Sequence, residues 1–482
     1  MGVPGLWNLL KPSMSIKSFT SLALPVLSSP SRGFRLGIDV SLWLFHTGYS
    51  KGGENPELRL IFFRCCSLLK YPILPIFIFD GPKRPKWKRG KKINRSPVKL
   101  ITAVKAVVEA FGFEWQTAPG EAEAKLAYLN EAGIIDGILT DDVDTFIFGA
   151  RTVIRNPSST HPHDDKFRQH FHVYSEIEQS RADLLLIALC SGGDYYAGLQ
   201  GCGVKTALAL VQCGFADSLY HAATSLPPAS LPAFLDQWRD KVISELAGDL
   251  HGCIGQKMTS LASTIPQDFP NIHVLSSYIQ PITSLSEGRP DFYADLTWTQ
   301  KEPSIPEIAR ICEFYFEWGF EAAILEQFHK ILWPSITFQV LHRQLLSPED
   351  AFLSRFAGEQ SVTEDFCDWM TKIHSTRKHF STDYTPEYRV EIKPSIFSRI
   401  AETGVQGICR QDDIEWEGSS EDSDRQNGDD GMDLQQSSLH VWVPAVLMEQ
   451  VCPELVEEYE GTERQNDKKR KRRGRFKVGI HL

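Results

Sequence analysis

Residues Ile73 to Asp80 read ILPIFIFD, an apolar run rich in β-formers that ends on a carboxylate. As a strand it has no polar face to turn to water, so it belongs inside a sheet covered on both sides. Two further segments share this pattern. Phe34 to Val40 (FRLGIDV) reaches Asp39, and Ile134 to Thr140 (IIDGILT) runs at once into acids. Helical patterns lie between them, at Pro56 to Lys70 and Val98 to Ala110. Doubly buried strands alternating with helices predict an α/β fold with a parallel sheet. Ligands in such sheets sit at the carboxyl ends of the strands, where these acids stand.

Beyond residue 215 the pattern turns helical as far as Trp333, with Ile305 to Leu332 reading as one long amphipathic stretch rich in Phe and Trp. A smaller unit follows over 336–462, interrupted by an acidic insert at 411–434. Ten acids between Asp412 and Asp433 face one base, Arg425, and the Asp-, Ser- and Gly-rich composition predicts disorder there. This stretch accounts for most of the net charge of −10, so the sum does not exclude a polyanionic partner and local patches matter more. A hydrophobic content of 42% over 482 residues supports two or three domains. The ten cysteines form no CxxC pair, which reads as reduced thiols without a zinc ribbon. No apolar run reaches the roughly 18 residues of a membrane span. No secretory signal is evident, and Leu6 stands where N-myristoylation requires Ser or Thr. The expectation is a soluble intracellular protein with no membrane partner.

Seven carboxylates stand at the ends of apolar segments or beside glycines: Asp39, Asp80, Glu121, Glu123, Asp142, Asp144 and Asp194. Glu121 and Glu123 follow Pro119 and Gly120 and open a helix, where free N–H groups and the macrodipole favour anions. Asp142 and Asp144 are two apart, which points both side chains one way if the backbone is extended. Taken singly, each reads equally well as a helix cap or a solvated turn residue. Gathered in one place they would repel by several kcal/mol without cations. Hard oxygen ligands of this kind suit Mg²⁺, with Mn²⁺ as a substitute. A pair of such ions about 4 Å apart activates water for phosphodiester cleavage.

Several motifs resemble those of XPG/flap-endonuclease nucleases. MGVPGLWNLL opens the chain, GIDVSLWLF surrounds Asp39, FIFDG surrounds Asp80, and APGEAEA carries Glu121 and Glu123. TDDVDTFIFG carries Asp142 and Asp144, SGGDYYAGLQGCGVKTAL begins at Ser191, and FYFEWGFEAAILEQFHKILWP closes the series. The match is collinear over roughly residues 1 to 335. It implies a PIN-like nuclease core, with the seven carboxylates as both the catalytic and the metal-binding set. It implies a nuclease region in two parts, 1–97 and 98–215, and a helical DNA-binding extension at 216–335. Gly2 resembles the family's N-terminal glycine, which lies near the DNA branch.

Lys83 to Arg95 (KRPKWKRGKKINR) carries Lys83, Arg84, Lys86, Lys88, Arg89, Lys91, Lys92 and Arg95 with no acid. Directly after Asp80, such a run suits phosphate contact, although basic runs also serve as solvated faces or localisation signals. In the family this is the gateway, and Lys88 and Arg95 resemble its two residues that steer the scissile phosphate. Only 41 positions separate Asp80 from Glu121, too few for the helical arch of flap endonucleases. A short gateway admits junctions without free ends, a feature of the Gen/Yen-type Holliday-junction resolvases. Gly201, Gly203 and Lys205 form a glycine turn leading into a helix, where backbone N–H groups meet phosphate. By resemblance this is a helix–two-turn–helix, which in the family holds K⁺.

Leu439 to Glu460 resembles the end of a chromodomain, with Tyr388 to Lys393 (YRVEIK) as its first strand, although an unrelated α/β appendage fits the same residues. Trp416 falls in the acidic insert, which favours a DNA-contacting or packing role over histone reading. The tail at 463–482 contains KKRKRRGRFK and reads as a nuclear localisation signal or DNA-binding arm, predicting a nuclear protein. No sliding-clamp motif is seen. His161, His163, His170 and His172 read as a polar surface loop rather than a zinc site.

These readings converge on a structure-selective endonuclease for four-way junctions and 5′-flaps that pairs with itself on junction DNA. A 5′-flap or excision-repair nuclease that never resolves junctions is the nearer alternative. A non-catalytic branched-DNA binder is the alternative of another class.

Overall fold

The computed structural model describes residues 2–27, 33–47, 53–88, 90–93, 96–156, 170–288, 301–346, 369–408 and 438–478. The acidic insert, Trp416, His161, His163, Arg89 and Arg95 lie outside the described residues.

The strands, in chain order, begin with β1 (Met14–Ser18), β2 (Phe34–Asp39) and β3 (Ile73–Phe79). A hairpin of β4 (Trp87–Lys88) and β5 (Lys91–Lys92) follows, then β6 (Glu114–Thr117), β7 (Gly137–Leu139), β8 (Thr152–Arg155) and β9 (His170–Ser175). The main sheet has seven strands in the order β1-β9-β8-β7-β2-β3-β6. The five from β8 to β6 are parallel, and every residue of β3 is buried. β9 and β1 close one edge antiparallel, so the sheet is mixed rather than purely parallel. The chain lays down β2, β3 and β6 toward one edge, then crosses to the far side of β2 for β7 and β8. That reversal opens a crevice at the carboxyl ends of the central strands.

Helices cover both faces where the apolar periodicity placed them. Pro56–Leu68 starts on a proline that no intrahelical bond would have used. Arg181–Ser191 starts on a full capping box between Ser180 and Asp183. The stretch from Ile305 is not one helix. It breaks after Tyr315 and resumes at Glu321–Gln327, because Gly319 packs its backbone against the Glu313 carbonyl, where a Cβ would lie at 2.5 Å. The last helix of this region, Trp333–Leu345, is buried on nearly every side.

The C-terminal unit is an antiparallel sheet of β10 (Met370–Lys378), β11 (Pro386–Ile392) and β12 (Leu439–Pro444). The YRVEIK segment is its central strand, not its first. A first strand at Met370–Lys378 escaped notice because its exposed face makes it largely polar. This unit does not stand apart. Val390, Val443 and Phe397 share one apolar cluster with Trp333 and Phe328, and with Phe62 and Phe77 of the nuclease sheet. Asp383, between β10 and β11, accepts hydrogen bonds from the Ser18 N–H (2.8 Å), the Ser18 hydroxyl (2.9 Å) and the Ser21 hydroxyl (2.5 Å). His170 Nε2 meets its other oxygen at 2.8 Å. His170 and His172 thus belong to strand β9 rather than to a loop, and His170 is a buried strut between the two sheets.

Candidate active site

Each carboxylate reaches the crevice on a different element. Asp39 ends β2, where its Oδ1 accepts from the N–H groups of Ser41 (3.0 Å) and Leu42 (3.4 Å), and Oδ2 from the Thr140 hydroxyl (3.1 Å). Asp80 follows β3. It accepts from the Ser41 hydroxyl (2.6 Å) and the Ala122 N–H (2.9 Å) and pairs with Arg84. Glu121 is the N-cap residue of the helix Ala122–Glu131, but its side chain does not cap. It turns instead to the Tyr195 hydroxyl and to Lys88. Glu123 and Asp194 share the same lysine, at 2.8 and 3.0 Å from Nζ.

The spacing of Asp142 and Asp144 works differently from expectation. Val143 is helical, and Asp144 begins a short helix whose N–H donates back to Asp142 Oδ1 at 3.1 Å. A strand would have left both side chains parallel. The turn sends Asp142 into the cleft and tucks Asp144 behind it, against the Val3 N–H at 2.9 Å. Gly2 fits here because it has no side chain: a Cβ would lie 2.3 Å from Asp144 Oδ1 and 2.6 Å from Asp142 Oδ1, and φ is +77°.

Six of the seven carboxylates therefore line one cleft of about 510 Å³, with Asp144 directly behind. One oxygen from each of Glu123, Asp142 and Asp194 lies within 4.8 Å of the others. Two like charges at about 5 Å repel by about 3 kcal/mol at an effective dielectric of 20. Four of the acids are shifted accordingly. Burial, then the charges of Asp80 and Asp142, push the Asp39 carboxyl up to about 7. Burial raises Glu123, Asp142 and Asp144 in the same direction, with neighbouring carboxylates adding to it. Burial alone would lower Lys88, but Glu123, Glu121 and Asp194 hold it well above its ordinary value. Asp144 Oδ2 is buried without a hydrogen-bond partner among the described residues. Buried hard oxygens, one of them orphaned, with a single ammonium wedged among them, fit divalent cations of the Mg²⁺ class.

The basic run divides. Arg84 pairs with Asp80, Lys83 with Glu287, and Lys88 with the cluster, so three of its bases meet carboxylates. Lys86, Lys91 and Lys92 are exposed on or beside the hairpin of β4 and β5, which turns at Gly90. Gly201 and Gly203 are exposed with open space around them, and Lys205 stands exposed in the first turn of the helix Val204–Gln212. Sequence reasoning missed Ser41, Thr140, Tyr195 and Tyr278, which hold or back the acids, and it read Arg84 as a phosphate contact where the structure pairs it with Asp80. Tyr195 was visible in SGGDYY beside Asp194. Tyr278, whose ring meets that of Tyr195 at 4.8 Å and whose hydroxyl packs on Gly193, gave no local signal.

Comparison with known proteins matches these elements to known domains. The XPG N-terminal domain matches residues 1–99, the XPG I-region residues 112–194, and the Holliday junction resolvase Gen1 C-terminal domain residues 369–462. Flap endonuclease GEN homolog 1 of Homo sapiens is 32% identical over 237 residues, covering 44% of this chain and 25% of its own length. The chain thus spans about a quarter of that relative. A solved structure of the eukaryotic junction-resolving enzyme GEN-1 with potassium aligns over 96% of this chain and 100% of its own, at 27% identity and a TM-score of 0.71. The Holliday junction-resolving enzyme GEN1 with product DNA and Mg²⁺ aligns over the same shares, at 28% identity and a TM-score of 0.70. This chain therefore carries the XPG N-terminal domain and I-region in order on one sheet, with a domain similar to the Gen1 C-terminal domain behind them.

Proposed function

We propose that this chain is a metal-dependent DNA endonuclease that cuts Holliday junctions and 5′-flaps close to the branch. The observation that carries the reading is the convergence of Asp39, Asp80, Glu121, Glu123, Asp142 and Asp194 on one cleft, with Asp144 behind. A protein that only bound DNA would gain nothing from a cluster that repels itself and its ligand alike. These seven residues are the ones proposed to hold two Mg²⁺ ions, with Mn²⁺ as a substitute. When bound, such ions supply an activated water and neutralise the leaving oxygen in phosphodiester hydrolysis.

The remaining residues have work to do around that chemistry. Thr140 and Ser41 fix the rotamers of Asp39 and Asp80, and Tyr195 does so for Glu121. Lys88, released once cations take up the charge of the acids, is placed to meet the scissile phosphate from the gateway side. Lys86, Lys91 and Lys92 offer exposed charge to the backbone, and the turn at Gly201 and Gly203 with Lys205 offers a second hold on duplex, with K⁺ as its proposed ion. The short hairpin between Asp80 and Glu121 spans too few residues for an arch, which favours substrates without free ends. We assign the 369–462 unit, with its three-stranded sheet and following helix, a chromodomain-like packing and DNA-contacting role. The basic tail supports a nuclear location. Paired symmetric nicks require two copies on one junction.

The test is cleavage of an immobile four-way junction with Mg²⁺, beside a 5′-flap and an EDTA control. Symmetric paired nicks leaving 5′-phosphates and 3′-hydroxyls establish the resolvase. Flap cutting with an intact junction moves the chain to the flap-nuclease reading. Metal-independent binding without cutting leaves a non-catalytic binder.

A further inference from the structure

The fold assembles a second set of metal-ligating side chains, on the helical unit that carries the glycine turn. The helix Val204–Gln212 ends at Cys213, and the helix Leu231–Gly248 carries Glu245 in its last turn. The chain then folds back, bringing His251 to the same spot, with Cys253 two residues further on. One donor atom from each of Cys213, Glu245 and His251 lies within 4.8 Å of the other two. Glu245 meets His251 Nδ1 at 2.6 Å, accepts from the His251 backbone N–H at 3.1 Å, and accepts from the Cys213 thiol at 3.6 Å. Cys253, two residues beyond His251, donates its thiol to the His251 carbonyl at 3.8 Å, and both Cys213 and Cys253 are free thiols. Cys213, Glu245 and His251 line a cavity of about 460 Å³, so an ion has a way in.

The electrostatics favour a cation. Glu245 is 1% exposed, and it stands where the last carbonyls of its own helix already concentrate negative charge. The helix ending at Cys213 turns its own carbonyl end to the same place. A buried carboxylate at two helix C-termini is costly unless a positive charge answers it. Among the described residues its ion-pair partner is His251, an imidazole whose side chain is 58% exposed.

We propose that Cys213, Glu245 and His251 bind one zinc ion in a structural site, with the neighbouring Cys253 thiol turning in as its fourth ligand. Two thiolates, an imidazole and a carboxylate are the donor types and the number that tetrahedral zinc takes, whereas Mg²⁺ selects oxygen alone. Binding releases the two thiol protons to solvent and changes no oxidation state. The ion ties the end of the helix Val204–Gln212 to the loop beyond Gly248. Gly203 and Lys205 sit at the other end of that helix, roughly 14 Å away at 1.5 Å per residue. Zinc thereby stiffens the element proposed to grip duplex. That consequence rests on the nuclease reading, while the site itself does not.

The experiment uses the full chain, purified without a metal-affinity tag, stripped of metal and titrated with Co²⁺ in excess Mg²⁺. A thiolate-to-cobalt charge-transfer band with tetrahedral ligand-field bands is expected. Cobalt in the carboxylate cleft, or at the exposed His374, Glu391 and His440 group, has no thiolate and gives no such band. Zinc should displace the cobalt and abolish the band. Cys213→Ser and Cys253→Ser should lose it, and His251→Asn, a change at the half-exposed ligand, should weaken it in a chain that melts normally. Asp142→Asn should retain it, which separates this site from the nuclease centre. Absence of the band from the wild-type chain overturns the proposal, as does a Cys213–Cys253 disulfide in its non-reduced peptide map.

Discussion

Two groups of carboxylates in this molecule are shifted in opposite directions, and the contrast separates what they do. Asp383 lies at the seam between the two sheets, with three donors from Ser18 and Ser21 on one oxygen and His170 on the other. Burial works against its charge, but those hydrogen bonds prevail and hold it below its ordinary value. In the cleft, burial and mutual repulsion push Asp39, Glu123, Asp142 and Asp144 upward. A carboxylate surrounded by donors is finished and stabilises the fold. Carboxylates surrounded by each other are disfavoured as anions, and that frustration singles out the candidate site.

Asp142→Asn is the strongest test of this contrast. Cutting should fall by on the order of 10³-fold or more, while four-way-junction binding in a gel-shift assay is preserved. The same variant should melt higher than wild type in EDTA, by about 1 kcal/mol, because a repulsive charge is gone. Persistent cutting would remove the residue from the site. A lower melting point in EDTA would show that the cluster is stabilising after all.

Asp383→Ala should behave in the opposite way. It strips partners from Ser18 and His170, both buried, and should cost about 2 kcal/mol in a urea titration. Its cleavage rate at low temperature should match wild type. Glu313→Gln is milder. The buried Glu313 carboxylate accepts from the N–H groups of Gln406 and Ile408, each at 2.7 Å, and an amide has one acceptor oxygen for two donors. About 1 kcal/mol should be lost, with cutting unchanged.

A further test is the pH dependence of the metal-free protein, where the two groups again oppose one another. The folded value of Asp39 stands above its unfolded 3.8, so the native state binds the proton more tightly. Its contribution to stability is full below pH 3.8 and is lost as pH rises to about 7. Asp383 has the reverse sign: its contribution is present above pH 3.8 and is lost as pH falls through its lowered folded value. Melting in EDTA should therefore decline from pH 4 to 7 in wild type. The decline should be smaller in Asp39→Asn and unchanged in Asp383→Asn.

Much of the site was legible because each acid ends a segment whose burial the sequence declares. The doubly apolar ILPIFIFD and FRLGIDV can only be central strands, and their last residues must emerge at the carboxyl edge. The strands β1 and β9 were less legible. β1 is the edge strand and β9 its neighbour, both are half polar, and MSIKS or HFHVYS carries no run that separates it from a loop. The paired spacing of Asp142 and Asp144 misled for a related reason. Whether Val143 is extended or helical depends on the hydrogen bonds of Thr140 and Val3, which the local sequence does not reveal.

The sequence by itself determined the layer architecture, the ends of strands and helices where the seven carboxylates stand, and the order of the motifs, because burial, period and motif are local properties of the chain. The tertiary structure decided which partners each charge received. Lys88 lies against three acids instead of facing outward, Asp383 lies against residues more than 200 positions away, and Cys213 meets Glu245 and His251 across a helix. Electrostatic energy depends on distance in space and on the surrounding dielectric. Neither quantity exists until the chain has folded.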